Sequence, residues 1–156
     1  ANINIDGLAM FDEFESIAGI GSQHSTLRKF LKESAENRGL RLTTLPDNFS
    51  GPESFLRSDQ AGFAREGIPS ILIMDGPHYK NLSYEEGIGK HINWIKNRYH
   101  TPFDDLQQPL DYDAMQQHCS LLFDFIMNLA NSDEEPVWNS NSPYINARLR
   151  SKAEKR

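Results

Sequence analysis

Only one cysteine, Cys119, occurs in the 156 residues. A single thiol excludes an internal disulfide framework and any cysteine-based zinc cluster, so a metal site in this chain would draw on histidine and carboxylates. No apolar run approaches the roughly 20 residues needed to cross a bilayer. Basic charge is in deficit: 16 Lys and Arg stand against 22 Asp and Glu, for a net charge of −6. That balance leaves no basic stripe for a phosphate backbone and argues against a nucleic-acid partner. The opening "ANINIDG" has no initiator Met, no signal-type apolar stretch and no polar lead-in, and reads as a start within a strand. What is present suffices for a core. The apolar share is 38%, with nine Phe, five Tyr and two Trp, and a chain of this length can bury roughly 70% of its unfolded surface as one domain.

The pattern along the chain alternates strands and helices. Residues 2–6, "NINID", alternate apolar and polar and end on Asp6. Gly7, Gly19 and Gly21 mark loop. Ser22 or Ser25 is a candidate cap for a helix with Leu27, Phe30, Leu31 and Ala35 on one face, and Gly39 is placed to end it. A strand is expected over 40–45 and a loop over 46–52. Asp59 can cap a short helix ended by Gly67, and "IPSILIM", 68–74, reads as a buried strand. Residues 75–104 read as irregular. A long helix over 111–131 places Met115, Cys119, Leu122, Ile126 and Leu129 at spacings of four and three, the expected core stripe. The basic "RLRSKAEKR" reads as a frayed, solvated end. This order predicts an α/β layered domain over 1–135 and a polar tail over 136–156.

Ligands of such sheets collect at the carboxyl ends of strands, where Asp6 stands. A second candidate is His100 in "NRYHTPFDD", a histidine followed by Thr-Pro and two carboxylates. From the residues alone, His100 is as readily a turn histidine as a ligand, Asp6 a strand-end cap and Asp59 a helix cap. His24, His78, His91 and His118 have no matched context and read as surface or packing residues.

The ordered series "NINIDG", "RSDQAGFAREGIPSILI", "YHTPFDD" and a long helix ending "LAN" resembles the C-terminal half of zinc-dependent aminopeptidases of peptidase family M28, from Asn2 to about Asn131. The resemblance implies a three-layer α/β/α sandwich around a mixed, mostly parallel sheet, incomplete in this chain. It implies two zinc ions in the complete domain, with Asp6 a ligand of one and His100 of the other, and a peptide substrate that loses its N-terminal residue. Zinc accepts imidazole nitrogen and carboxylate oxygen, and a catalytic site keeps one position for water. Tyr99 is then a donor to the tetrahedral intermediate, Asp104 a support behind His100, and Arg57, Ser58 and Asp59 the lining of the substrate's amine end. The family's habit implies an extracytoplasmic, secreted or periplasmic, setting.

Two departures qualify this reading. Gln60 stands where His is common in the family. The family's His-x-Asp and Glu-Glu pairs, which precede the "NID" strand and supply the remaining ligands and the general base, do not occur in that order here. Glu85 and Glu86 imitate the second pair but follow Asp6, and read as a solvated loop. Each metal would keep about one ligand, so this chain alone is expected to be inactive, with the missing N-terminal half as its partner. A glutaminyl-cyclase-like zinc transferase, or a non-catalytic binding domain of the same fold, is the alternative. A tyrosine before "HTP" favours the peptidase over the cyclase, in which tryptophan is common there.

Overall fold

A computed structural model of the protein describes residues 1–7, 9–46, 52–108 and 110–154. Four strands form one mixed sheet. β1 (Asn2–Asn4) pairs in parallel with β4 (Ser70–Asp75), β4 antiparallel with β2 (Ser16–Ile20), and β2 in parallel with β3 (Arg41–Thr43), giving the order β1-β4-β2-β3. β4 is central and buried, with Ile71 and Ile73 on one face and Ser70 and Leu72 on the other. Period-two alternation delivers two opposite apolar surfaces, and helices cover both.

On the first face, Ile17, Ile71 and Ile73 pack against helix α1 (Leu27–Glu36), through Leu27, Phe30, Leu31 and Ala35, and against α5 (Tyr112–Ala130). The stripe that α5 buries is Ala114, His118, Leu121, Leu122 and Phe125. Of the expected stripe, Leu122 is buried and Leu129 packs against the same core, whereas Cys119 and Ile126 are exposed. α5 carries apolar residues on most of its surface, so spacing admits both stripes, and the bulk of Phe125 and the hydrogen bond held by His118 select the observed one. On the second face, Phe55 of α2 (Pro52–Leu56) and Ala64 of α3 (Gln60–Arg65) pack with Trp138, Ile20, Tyr144 and Ile145. Residues beyond 136 therefore contribute to a core: Trp138 is buried and its indole donates to the Gly67 carbonyl at 2.9 Å. The basic end reads as frayed in sequence but forms α6 (Ile145–Glu154).

Further expectations change. β1 stops at Asn4, so Asp6 lies beyond the strand. The segment holding Gly19 and Gly21 reads as loop in sequence, yet Ser16–Ile20 is a central strand, fixed by partners on both sides. Gly19 fits because a side chain there would overlap Leu31 and crowd Ile71. Residues 75–104 contain a 14-residue helix, α4 (Tyr84–Asn97). Its start is a capping box in which the Ser83 hydroxyl accepts from the Glu86 amide and the Glu86 carboxylate accepts from the Ser83 amide,. Glu85 and Glu86 thus occupy a first helical turn, where carboxylates suit the helix dipole. At α1, neither Ser22 nor Ser25 is the cap; Thr26 holds that position without a side-chain bond. Most of the expected 46–52 loop, at 47–51, lies outside the described residues.

Candidate functional site

The carboxyl ends of β1 and β4 lie side by side, and the loops that leave them are tied together. Asp12 accepts from the Asn81 amide at 2.8 Å and from its side chain at 3.0 Å. Phe14 bridges to Tyr79, Glu15 donates through its amide to the His78 carbonyl, and the Ser16 hydroxyl lies 3.2 Å from His78 Nδ1. From below, α5 fastens the first loop: the Ala9 amide donates to His118 Nδ1 at 2.9 Å, and Gln117 brackets the Phe14 peptide with two bonds of 2.9 Å. At the end of β4, buried Asp75 accepts from the Tyr79 hydroxyl at 2.5 Å. Burial, and secondarily the Asp75 carboxylate, pushes the Tyr79 pKa far above the ordinary phenol value. Tyr79 therefore stays protonated and acts as the hydrogen-bond donor to Asp75,.

Asp6 stands two residues past β1 on this edge, exposed. His100 arrives by way of α4, whose His91 ring meets Phe11 edge-on at 5.6 Å and whose Lys90 reaches the Phe11 carbonyl at 3.4 Å. The helix bearing the His100 turn is thus seated on the loop that follows Asp6. The turn closes by bonds from the Arg98 and Tyr99 amides to the Trp94 carbonyl, from the Thr101 hydroxyl to the Arg98 carbonyl at 2.6 Å, and from Arg98 Nη1 to the Phe103 carbonyl at 2.9 Å. Within it His100 adopts φ 57°, the only positive φ of a non-glycine residue among those described. This left-handed backbone is sparsely populated for side-chain-bearing residues and persists because the bonds around it fix it. The exposed imidazole stacks on Tyr99, with ring centroids 3.7 Å apart at 22°.

Asp104 accepts from Gln108 Nε2 at 3.0 Å, Gln108 Oε1 accepts from the Trp94 indole at 3.0 Å, and Trp94 packs on Tyr99 at 4.9 Å. Its connection to His100 runs through that chain of side chains. Arg57, Ser58 and Asp59 lie between α2 and α3. The Ser58 and Asp59 carbonyls accept from the first turn of α3, and Asp59 holds the N-cap position without a side-chain bond. Gln60, in sequence only a departure from the family's histidine, is fully buried and accepts from the Asn4 side chain at 2.8 Å. This bond sets the Arg57–Asp59 segment beside the strand that leads to Asp6. Nothing in spacing signals such a clamp, whereas the Ser-x-x-Glu pattern of Ser83 and Glu86 is a local signal for the start of α4,.

Of the remaining histidines, His118 is buried, and burial lowers its pKa more than the Asp75 charge raises it. His24 lies between Phe55 and Tyr144, also with its pKa lowered by burial. Among the described residues, no three or more His, Cys, Asp or Glu side chains converge in a way that could hold a metal ion. A catalytic zinc takes three protein ligands. Asp6 and His100 have the right donor chemistry, but the described residues do not by themselves compose a zinc site.

No helix among the described residues is long and apolar enough to cross a membrane. No curated protein and no solved structure matches the chain. The model of peptidase family M28 matches residues 1–126, which include Asp6, the Arg57–Asp59 segment, Gln60 and the whole His100 turn. Covering most of the 156 residues, that match shows that the chain belongs to peptidase family M28.

Proposed function

We propose that this chain is the C-terminal half of the catalytic domain of a zinc-dependent aminopeptidase, giving one ligand to each of two zinc ions through Asp6 and His100. The observation that supports this best is the family match across both residues, on a fold that seats the helix bearing the His100 turn against the loop that follows Asp6. The remaining donors come from a segment other than the described residues, since these bring no three metal-binding side chains together. What this chain's own residues contribute is positional. The left-handed turn presents His100, Tyr99 stacks on it and is assigned a hydrogen bond to the tetrahedral intermediate, and Trp94, Gln108 and Asp104 brace Tyr99. Arg57, Ser58 and Asp59 are assigned the substrate's amine end, positioned by Gln60. An extracytoplasmic setting is part of the same reading.

The test measures zinc-dependent hydrolysis of an aminoacyl-anilide by the 156-residue chain and by a longer polypeptide that adds the family's His-x-Asp and Glu-Glu motifs upstream. The shorter chain is expected to match buffer. The longer one turns over, and Asp6→Ala or His100→Ala lowers kcat/KM by about 100-fold or more, while Tyr99→Phe lowers kcat by about 100-fold. Robust turnover by the shorter chain overturns the missing-donor account, and undiminished turnover in His100→Ala overturns the ligand assignment.

A further inference from the structure

Helix α5 has two flanks of opposite kind. On the flank toward α1, Asp124 accepts from Arg38 at 2.6 Å, and the Asn128 side-chain amide reaches Glu33 and the Ser34 hydroxyl at 3.4 Å. On the flank away from α1, Tyr112, Cys119, Phe123, Ile126 and Ala130 follow one another at spacings of seven, four, three and four, and all are exposed. Tyr112 is 72% and Phe123 62% exposed. This spacing is that of a seam between packed helices, and it borders the core directly through Leu122 and Leu129,. A helix apolar on both flanks belongs between two neighbours, and α1 is only one of them.

Below the outer flank the sheet has a free edge. α1 packs over β2 and β3, at the far end of the order β1-β4-β2-β3, so the flank of α5 away from α1 lies toward β1. Among the described residues β1 pairs only with β4. The Asn2 amide donates to the Pro69 carbonyl at 2.8 Å, and strand alternation turns the Ile3 amide to the opposite, outer side,. An open strand edge beside an apolar helix flank is the contact surface that a further strand and its helix would cover.

Asp6, two residues past β1, sets the direction of that strand. A strand laid parallel to β1 ends beside Asp6, so side chains at its carboxyl end meet the donor that the described residues leave without two companions,. An antiparallel strand would bring its amino end there.

We propose that the outer edge of β1 and the outer flank of α5 form one docking surface for the polypeptide segment that carries the remaining metal donors, which adds a strand parallel to β1 and lays an apolar helix face along Tyr112, Cys119, Phe123 and Ile126. The identity of this segment rests on the aminopeptidase reading; its place rests on the free edge and the apolar flank. Cys119, the chain's one thiol, is the probe. Maleimide labelling followed by mass spectrometry compares the 156-residue chain with the longer polypeptide of the hydrolysis test, any added cysteine being replaced by serine. Labelling of Cys119 is expected to slow by about tenfold or more in the longer polypeptide, with exchange of the Ile3 amide slowed by at least as much. Phe123→Glu, whose fold in the 156-residue chain is checked by circular dichroism, is expected to return Cys119 in the longer polypeptide to the rate of the shorter chain. Equal labelling of Cys119 in the two chains overturns the proposal, whether or not the longer one hydrolyses the anilide. Protection of Cys119 without hydrolysis upholds the docking surface and counts against the peptidase reading. Protection in the 156-residue chain that grows with its own concentration assigns the face to a second copy and overturns the proposal.

Discussion

The Asn4 side-chain amide donates to Gln60 Oε1 at 2.8 Å, and Gln60 Nε2 donates in turn to the Phe55 carbonyl at 2.8 Å. One buried amide thereby joins three elements: the strand before Asp6, the end of α2, and the start of α3 with its Arg57–Asp59 segment.

Replacing that amide with an isosteric apolar group leaves a carbonyl and an amide without partners in the interior. Gln60→Leu is expected to lower unfolding free energy by about 2 to 6 kcal/mol, at about 1 to 3 kcal/mol for each of the two unsatisfied groups. Urea denaturation measures it, and a loss below about 0.5 kcal/mol would mean that both groups find water.

The observed face of α5 makes a paired prediction. Phe125 is fully buried, so Phe125→Ala should cost about 3 to 5 kcal/mol, whereas exposed Cys119→Ser should stay within about 0.5 kcal/mol,. The reverse ranking would restore the stripe that includes Cys119.

At the start of α4, Ser83→Ala removes the cap hydroxyl and should destabilise the chain by about 1 kcal/mol. The Glu86 pKa is lowered first by the Ser83 backbone amide and then by the Ser83 hydroxyl. A depressed carboxylate contributes stability above its unfolded pKa and loses it as pH falls through the folded value. In Ser83→Ala the Glu86 pKa should rise part of the way back toward the ordinary carboxylate value. Carbon-detected NMR titration of the Glu86 carboxylate reads this, and an unmoved pKa would assign the whole effect to the backbone amide.

His118 sets a dependence near neutrality. Its folded pKa is lowered by burial, with Asp75 opposing, so below the unfolded value of 6.5 the unfolded chain holds more protons than the folded one,. Stability therefore falls as pH drops below 6.5, with burial of His91 and His24 acting in the same direction. Urea midpoints between pH 7.5 and about 5 follow the trend. His118→Gln should flatten the slope; an unchanged slope would place the effect on the other two.

Local sequence made some of this legible. The apolar face of α1, the buried run of β4, the Gly67 stop after α3 and the span of α5 are short-range patterns, and the structure keeps each. β2 was not legible, because Ser16–Ile20 has two glycines beside it or within it and becomes a strand only through pairing with β3 and β4. α4 was obscured by Gly87 and Gly89. Gly87 is needed there, since a Cβ would overlap the buried Tyr79 ring.

The sequence by itself determined the family, the alternation of strands and helices, and the donor types at Asp6 and His100, because each rests on residue identity and near-neighbour spacing. Only the tertiary structure decided which face of α5 is buried, that Gln60 joins β1 to α3, and that residues past 136 enter a core. These depend on which distant surfaces meet. Burial and hydrogen-bond satisfaction are properties of the assembled neighbours, and several registers of one periodic sequence are equally regular until those neighbours are in place.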